Sequence, residues 1–245
     1  MRISSFSLKV IGFISITCYC VAYCGLISNI WLQFILSTLG TICLPVFAFL
    51  IDEAYRRTGN LTKLMARSLI VALIAAFPYR YAFFSAKDGW MPQSFFSAAL
   101  TSFCCIGLIL FYDRMKTKNQ RIFCLAFVCA LSMLIGMEFA PYALILVAII
   151  HLTRNKKFFE MAYYIASFLI VISLVNIFIA KFTSYGDYSQ TELLRNISMI
   201  GGVFALPLIK KYDGTKGPSN KFITFIAYAY YPVMLTVICL IKLLP

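Results

Sequence analysis

Two loops of this chain gather the residue types that can do chemistry on charged groups. The first closes an apolar run that begins Leu44-Pro45-Val46-Phe47 and passes through Asp52, Glu53, Arg56 and Arg57 to Gly59-Asn60. Asp52 and Glu53 stand four residues ahead of Arg56 and Arg57, the spacing at which opposite charges face each other on one side of a helix. Thr62, Lys63 and Arg67 open the next apolar run. The second loop follows Ala205-Leu206-Pro207. Asp213-Gly214 is turn chemistry, Gly217-Pro218 is a second stop, and Lys210, Lys211, Lys216 and Lys221 surround them. A tight turn carrying four lysines can hold an anionic donor through ammonium charge and turn N–H groups. Both loops also fit plainer roles: solvated ion pairs on an interfacial helical hairpin, and a basic anchor against lipid headgroups.

Other nucleophiles and bases are sparse. The nine cysteines all fall inside apolar runs, without the CxxC spacing or histidine company of a zinc site, and read as small buried hydrophobes. His151 is the chain's one histidine. It stands at the end of an apolar run with no carboxylate near it in sequence, and reads as an interfacial residue. Phosphate-cradling glycine loops, HExxH and GxSxG are missing, and no metal is expected.

Nine apolar stretches must position these loops: Ile11–Ile27, Trp31–Ile51, Leu64–Phe84, Phe95–Tyr112, Ile122–Met137, Phe139–Leu152, Met161–Ala180, Leu193–Ile209 and Phe222–Leu244. A membrane-crossing helix needs about 20 apolar residues, and the fifth and sixth stretches are short enough to form a re-entrant pair. The composition is 62% hydrophobic with a mean hydropathy of +0.87, well outside the soluble range. Lipid leaves backbone polar groups unsatisfied except in helices and closed barrels, and period-two alternation is absent. The sequence therefore predicts an all-α polytopic transmembrane bundle of about nine spans, folded as one domain over residues 1–245. All nine acids lie in loops or at span ends, which argues against an ion-coupled transporter with charged groups in mid-membrane.

The net charge of +13 sorts by side. With the N-terminus in the cytoplasm, Arg2, Lys9, Arg56, Arg57, Lys63, Arg67, Arg114, Lys116, Lys118, Arg121, Arg154, Lys156, Lys157, Lys210, Lys211, Lys216 and Lys221 share that side. Arg80, Lys87, Lys181, Arg195 and Lys242 fall on the other, a split of 17 to 5. The positive-inside rule then gives N-in and C-out. Basic charge of this kind serves orientation and anionic headgroups, and no nucleic-acid partner is expected.

The run LPLIKKYDGTKGPSNKF followed by AYYPVML resembles the C-terminal signature of the TraX family. The run LPVFAFLIDEAYRRTGNLTKLMARSLIVALIAAFPY resembles that family's first-half signature. Pro45, Phe47, Glu53, Arg67 and Pro78 match in the first. Leu206, Pro207, Tyr212, Gly214, Lys216 in place of arginine, Gly217 and Pro232 match in the second, with Asp213 where asparagine is usual. The family's first-span Asp-His pair falls on Tyr19 and Cys20, its C-terminal histidine on Met234, and its fourth-span asparagine near Ser97–Ala98.

The resemblance implies a bacterial inner-membrane protein that acetylates pilin, or another membrane-exposed amine, with acetyl-CoA. Lys210, Lys211 and Lys216 would then lie near the donor phosphates. It equally admits a catalytically degenerate relative that acts as a membrane scaffold in pilus or envelope assembly, because the groups best suited to general-base work are absent at their family positions. Cys20 as an acyl-carrying thiol is the weaker alternative, since an apolar span raises a thiol's pKa.

Overall fold

A computed structural model describes residues 3–84, 95, 97–135, 139, 142–185, 194, 196–218 and 220–243. Arg2, Lys87 and Arg195 of the charge split lie outside the described residues. So do the acids Asp88, Glu138, Asp187 and Glu192, the span limits Met137, Leu193 and Leu244, and the side chain of Lys181. The chain folds into helices: α1 Ser5–Tyr23, α2 Ile30–Gly40, α3 Cys43–Arg57, α4 Leu61–Phe83, α5 Ala98–Arg114, α6 Lys118–Ile135, α7 Tyr142–Thr153 and α8 Phe159–Tyr185. A 3-10 helix Met199–Phe204 then leads into α9 Ala205–Lys210, and α10 Lys221–Leu243 follows. Among the described residues the one β-type pairing is an isolated parallel bridge between Ile3 and Tyr212.

Among the described residues, four segments are long and apolar enough to cross a bilayer: Ser5–Tyr23, Ile30–Arg57, Leu61–Phe83 and Lys221–Lys242. The other stretches differ from nine uniform spans for local reasons. The sixth is the 12-residue α7, about 18 Å long at 1.5 Å per residue and too short for the hydrocarbon core. Ala143, Leu144, Leu146, Val147 and Ile150 of α7 are buried in protein. Its apolar run is satisfied by protein neighbours, a distinction that hydropathy alone does not make. The eighth is described as a short helix, Asn196–Lys210, whose middle Met199–Phe204 is 3-10 and runs into the six-residue α9.

The second stretch is interrupted at Thr41-Ile42, between α2 and α3. Pro45 lies in the first turn of α3, where a missing N–H costs little. The break packs against the 3-10 helix. The Thr41 hydroxyl reaches the carbonyls of Thr38 (2.9 Å) and Ser198 (2.8 Å), and the Tyr163 hydroxyl donates to the Gly202 carbonyl at 2.5 Å. Irregular backbone persists in an apolar surround only where such partners exist. Glycine is required there: a Cβ on Gly201 would lie 1.9 Å from the Thr38 carbonyl oxygen.

On α4, Ile70, Leu73, Ile74, Phe77 and Tyr81 form an exposed apolar row at helical spacing, as a lipid-facing surface requires. Two apolar clusters hold the bundle. One packs Leu8, Phe49, Leu108, Leu144, Val147, Tyr163 and Leu206. The other packs Ile16, Tyr19, Cys20, Ala75, Tyr79, Tyr231, Met234 and Leu235.

Candidate functional site

The basic segments assigned by charge to one side meet at one pole. Tyr55 at the end of α3 donates to Asp113 of α5 at 2.9 Å. His151 of α7 contacts both α3 and α5. Lys210 of α9 pairs with Glu160 of α8 at 2.8 Å, and the N-terminal segment bridges to Tyr212. Helix ends scattered over more than 200 residues thus share one surface.

The cluster is built around two carboxylates on successive α3 positions. The apolar run of α3 ends at Ile51, and the next residues turn their charges onto neighbouring helix ends. The Asp52 carboxylate is fully buried. It accepts from Arg56 Nε at 2.8 and 3.0 Å, faces His151 Nδ1 at 2.7 Å, and accepts from Arg154 Nη1 at 3.2 Å. An unpaired buried carboxylate would cost several kcal/mol, so these partners are what allow it there. Glu53, also buried, is met by Arg57 Nε, by Arg154 Nη2 and by the Tyr212 hydroxyl at 2.8 Å. Arg154 serves both carboxylates and lies 4.3 Å above the Phe49 ring. This spreads its charge over an aromatic face.

His151 sits immediately after the buried Ile150, where the apolar run of α7 ends. Its Nδ1 faces buried Asp52, and its Nε2 lies 3.2 Å from Asp113, whose side chain is 43% exposed. Arg56 Nη2 donates to the His151 carbonyl at 2.8 Å. The rings of Tyr55 and Tyr112 meet the imidazole edge-on, at 5.8 and 6.4 Å. A buried carboxylate on one ring nitrogen and a solvent-facing group on the other is the arrangement that orients an imidazole for proton transfer. A small cavity of about 10 Å³ adjoins it, lined by Leu108, Ile109, Tyr112, Leu125, Ala148, His151 and Leu152.

The basic turn docks on this cluster. The Asp213 side chain accepts from the Thr215 N–H at 2.8 Å and its hydroxyl at 2.6 Å, and Gly214 takes φ +79°. Arg57 Nη2 donates to the Tyr212 hydroxyl at 2.8 Å and to the Gly214 carbonyl. The Tyr212 phenol is pushed up to about 12 by burial, with the Glu53 hydrogen bond and charge adding to the shift. The N-terminus is stitched along the same turn. Ile3 N donates to Lys211 O (2.9 Å), Asp213 N to Ile3 O (3.1 Å), Ser5 N to Thr215 O (2.9 Å) and Phe6 N to Lys216 O (3.2 Å). Turn carbonyls thereby satisfy the first N–H groups of α1, which no intrahelical partner can reach.

The anticipated residues divide into three groups. Glu53, Tyr212, Asp213 and Gly214 meet at this pole. Gly217 takes φ +68° against Ser4, so close that a Cβ would stand 2.7 Å from the Ser4 hydroxyl. Lys211 and Lys216 are exposed on the turn, whereas Lys210 is engaged by Glu160. Pro45, Phe47, Pro78, Pro207 and Pro232 lie within helices and shape packing: the Phe47 ring is 5.8 Å from Phe13, and the Pro78 carbonyl accepts from Cys239 Sγ at 3.0 Å. Arg67 is exposed on α4.

The third group is Tyr19, Cys20 and Met234, the positions where family histidine and aspartate fall. They converge in one apolar cluster, with Tyr19 1% and Cys20 2% exposed. The Thr17 hydroxyl contacts both Met234 Sδ at 3.3 Å and the Tyr230 hydroxyl at 2.8 Å. Ala98 packs against the same cluster.

His151, Asp113, Tyr55 and Arg154 are the residues that sequence reasoning missed as a group. No carboxylate lies near His151 in sequence, but the fold brings two to it, from 99 and 38 positions away. The signal that points to them is indirect: a single imidazole and several acids placed by the charge split on one side.

A family model described as TraX protein matches residues 4–242. No curated protein matches the chain, and no solved structure matches it.

Proposed function

The chain belongs to the TraX family, and from that premise we propose that it is a multi-pass inner-membrane acetyltransferase. In this reading it moves the acetyl group of cytoplasmic acetyl-CoA to a membrane-exposed amine such as a pilin N-terminus. The observation that carries the reading is His151, fixed on Nδ1 by buried Asp52 and open on Nε2 toward exposed Asp113, beside the basic turn. Acetylating an amine needs a base for its proton, and this imidazole is the chain's one group of suitable basicity.

The residues take distinct parts. Asp113 attracts the incoming ammonium, which frees Nε2 of its longer contact, and one proton of the ammonium leaves to solvent past exposed Asp113, so that the nitrogen reacts as the free amine. His151 takes a proton from the amine as the nitrogen attacks the thioester carbonyl carbon. The C–N bond forms, the C–S bond breaks, and the proton passes to the departing CoA sulfur. Asp52 holds the ring and stabilises the imidazolium. Lys211 and Lys216 meet the donor phosphates, and Lys210 joins them by leaving Glu160. The N-in sidedness that the 17-to-5 charge split supports puts this pole in the cytoplasm, where the donor is.

A second reading has its own observation. Tyr19, Cys20 and Met234 bury together where the family's polar groups fall, which suits a relative that keeps the scaffold and binds assembly partners without chemistry.

Labelled acetyl-CoA and a peptide with a free N-terminal amine, incubated with the protein in nanodiscs, separate the two. The enzyme reading expects transfer that His151→Gln lowers by at least about 100-fold, the usual contribution of a positioned base. Undiminished transfer by His151→Gln refutes the assigned site. Donor that fails to bind the unmutated protein leaves the scaffold reading.

A further inference from the structure

The cavity beside His151 has apolar walls from three helices: Leu108 and Ile109 of α5, Leu125 of α6, Ala148 and Leu152 of α7. Leu108 and Ile109 are almost wholly buried and form a fixed floor. At about 10 Å³ it takes one water-sized group. A buried water needs two to four polar partners, and these walls do not supply that many. An unfilled apolar void also weakens a core, so close packing would ordinarily remove it. Two titratable side chains, Tyr112 and His151, border it, and His151 is the one that faces both Asp52 and Asp113.

We infer that this cavity is the acyl subsite, shaped for a single methyl group and therefore selective for acetyl over longer acyl donors. The inference rests on the acetyl-transfer reading above. A thioester whose methyl enters the cavity brings its carbonyl carbon beside the imidazole. A second carbon would press on Leu108 and Ile109, whose burial leaves them nowhere to move. Ala148 is the smallest wall residue, and two added methyl groups there would fill the space.

Binding of CoA, acetyl-CoA, propionyl-CoA and butyryl-CoA to the protein in nanodiscs tests this without any need for turnover. Acetyl-CoA is expected to bind about four-fold tighter than CoA, the effect of burying one methyl group. Propionyl-CoA and butyryl-CoA, whose second carbon the cavity shuts out, should bind no tighter than CoA. Ala148→Val should erase the acetyl preference while CoA binding persists, which also shows that the variant is folded. Leu125→Ala, at a partly exposed wall, should let propionyl-CoA match or exceed acetyl-CoA. If all four ligands bind alike in the unmutated protein and both variants, the subsite is wrong and the donor site stands. If CoA itself does not bind, the donor reading fails and the subsite falls with it.

Discussion

Arg57→Ala should loosen the basic turn from the rest of the pole. Arg57 makes three contacts: its Nε meets Glu53, and its Nη2 meets the Tyr212 hydroxyl and the Gly214 carbonyl. The last two join the α3–α4 hairpin to the turn, with the Tyr212–Glu53 hydrogen bond as their companion. Glu53 keeps Arg154 in the variant, so it is not left as an unpaired buried charge. Arg57 is itself partly exposed, which screens its ion pair toward the low values of surface pairs. What remains is the loss of two hydrogen bonds, at about 1 kcal/mol each. About 2 kcal/mol corresponds to a roughly 30-fold rise in local opening. Amide hydrogen exchange reads this directly at Asp213, whose N–H is bonded to Ile3 O, and at Ser5 and Phe6, bonded to Thr215 O and Lys216 O. All three should exchange faster together, while amides inside α5 and α7 stay protected. Unchanged protection at Asp213 in Arg57→Ala would show that the turn is held by the N-terminal stitching alone, and would refute the bridging role.

Other expectations follow from single contacts. Gly201→Ala should cost about 3 kcal/mol, at the upper end of overpacking, because its Cβ collides with backbone at Thr38; a thermal melt in detergent would show it. Reporter fusions after Lys156 and after Lys216 should both report cytoplasm, and a periplasmic signal at either would overturn the assigned sidedness. Cys20→Ala should leave transfer intact, since Cys20 is buried among apolar neighbours; lost transfer with donor binding retained would make it the nucleophile. Replacing Lys210, Lys211 and Lys216 together with Gln should weaken acetyl-CoA binding and flatten its salt dependence.

The class of the fold is legible in composition because lipid imposes helices on a chain this apolar. The family is legible in the two signature runs, and the match over residues 4–242 agrees with them. Individual spans are less legible. The apolar run of α7 reads the same whether its residues face lipid or the side chains of α3, α5 and α8, and only the fold distinguishes the two. The break between α2 and α3 depends on Thr41 reaching Ser198, a partner 157 positions away. The pole shows the same limit. The pairing of Asp52 with Arg56 and of Glu53 with Arg57 is visible at four-residue spacing, because a helix enforces it. The contacts of His151 with Asp52 and Asp113 are tertiary, and no periodicity encodes them. The apolar identity of Tyr19, Cys20 and Met234 was plain, but their convergence on one cluster required the helices to be packed.

The central claim is that His151 performs acetyl transfer at this pole. Intact-mass analysis of pilin, or of another membrane protein with a free amine, from cells carrying the unmutated chain, no chain, or His151→Gln measures that most directly. The acetyl mass increment is expected with the unmutated chain and should be lost in both other strains, with His151→Gln still present in the membrane. An acceptor equally acetylated in the His151→Gln strain would contradict the site.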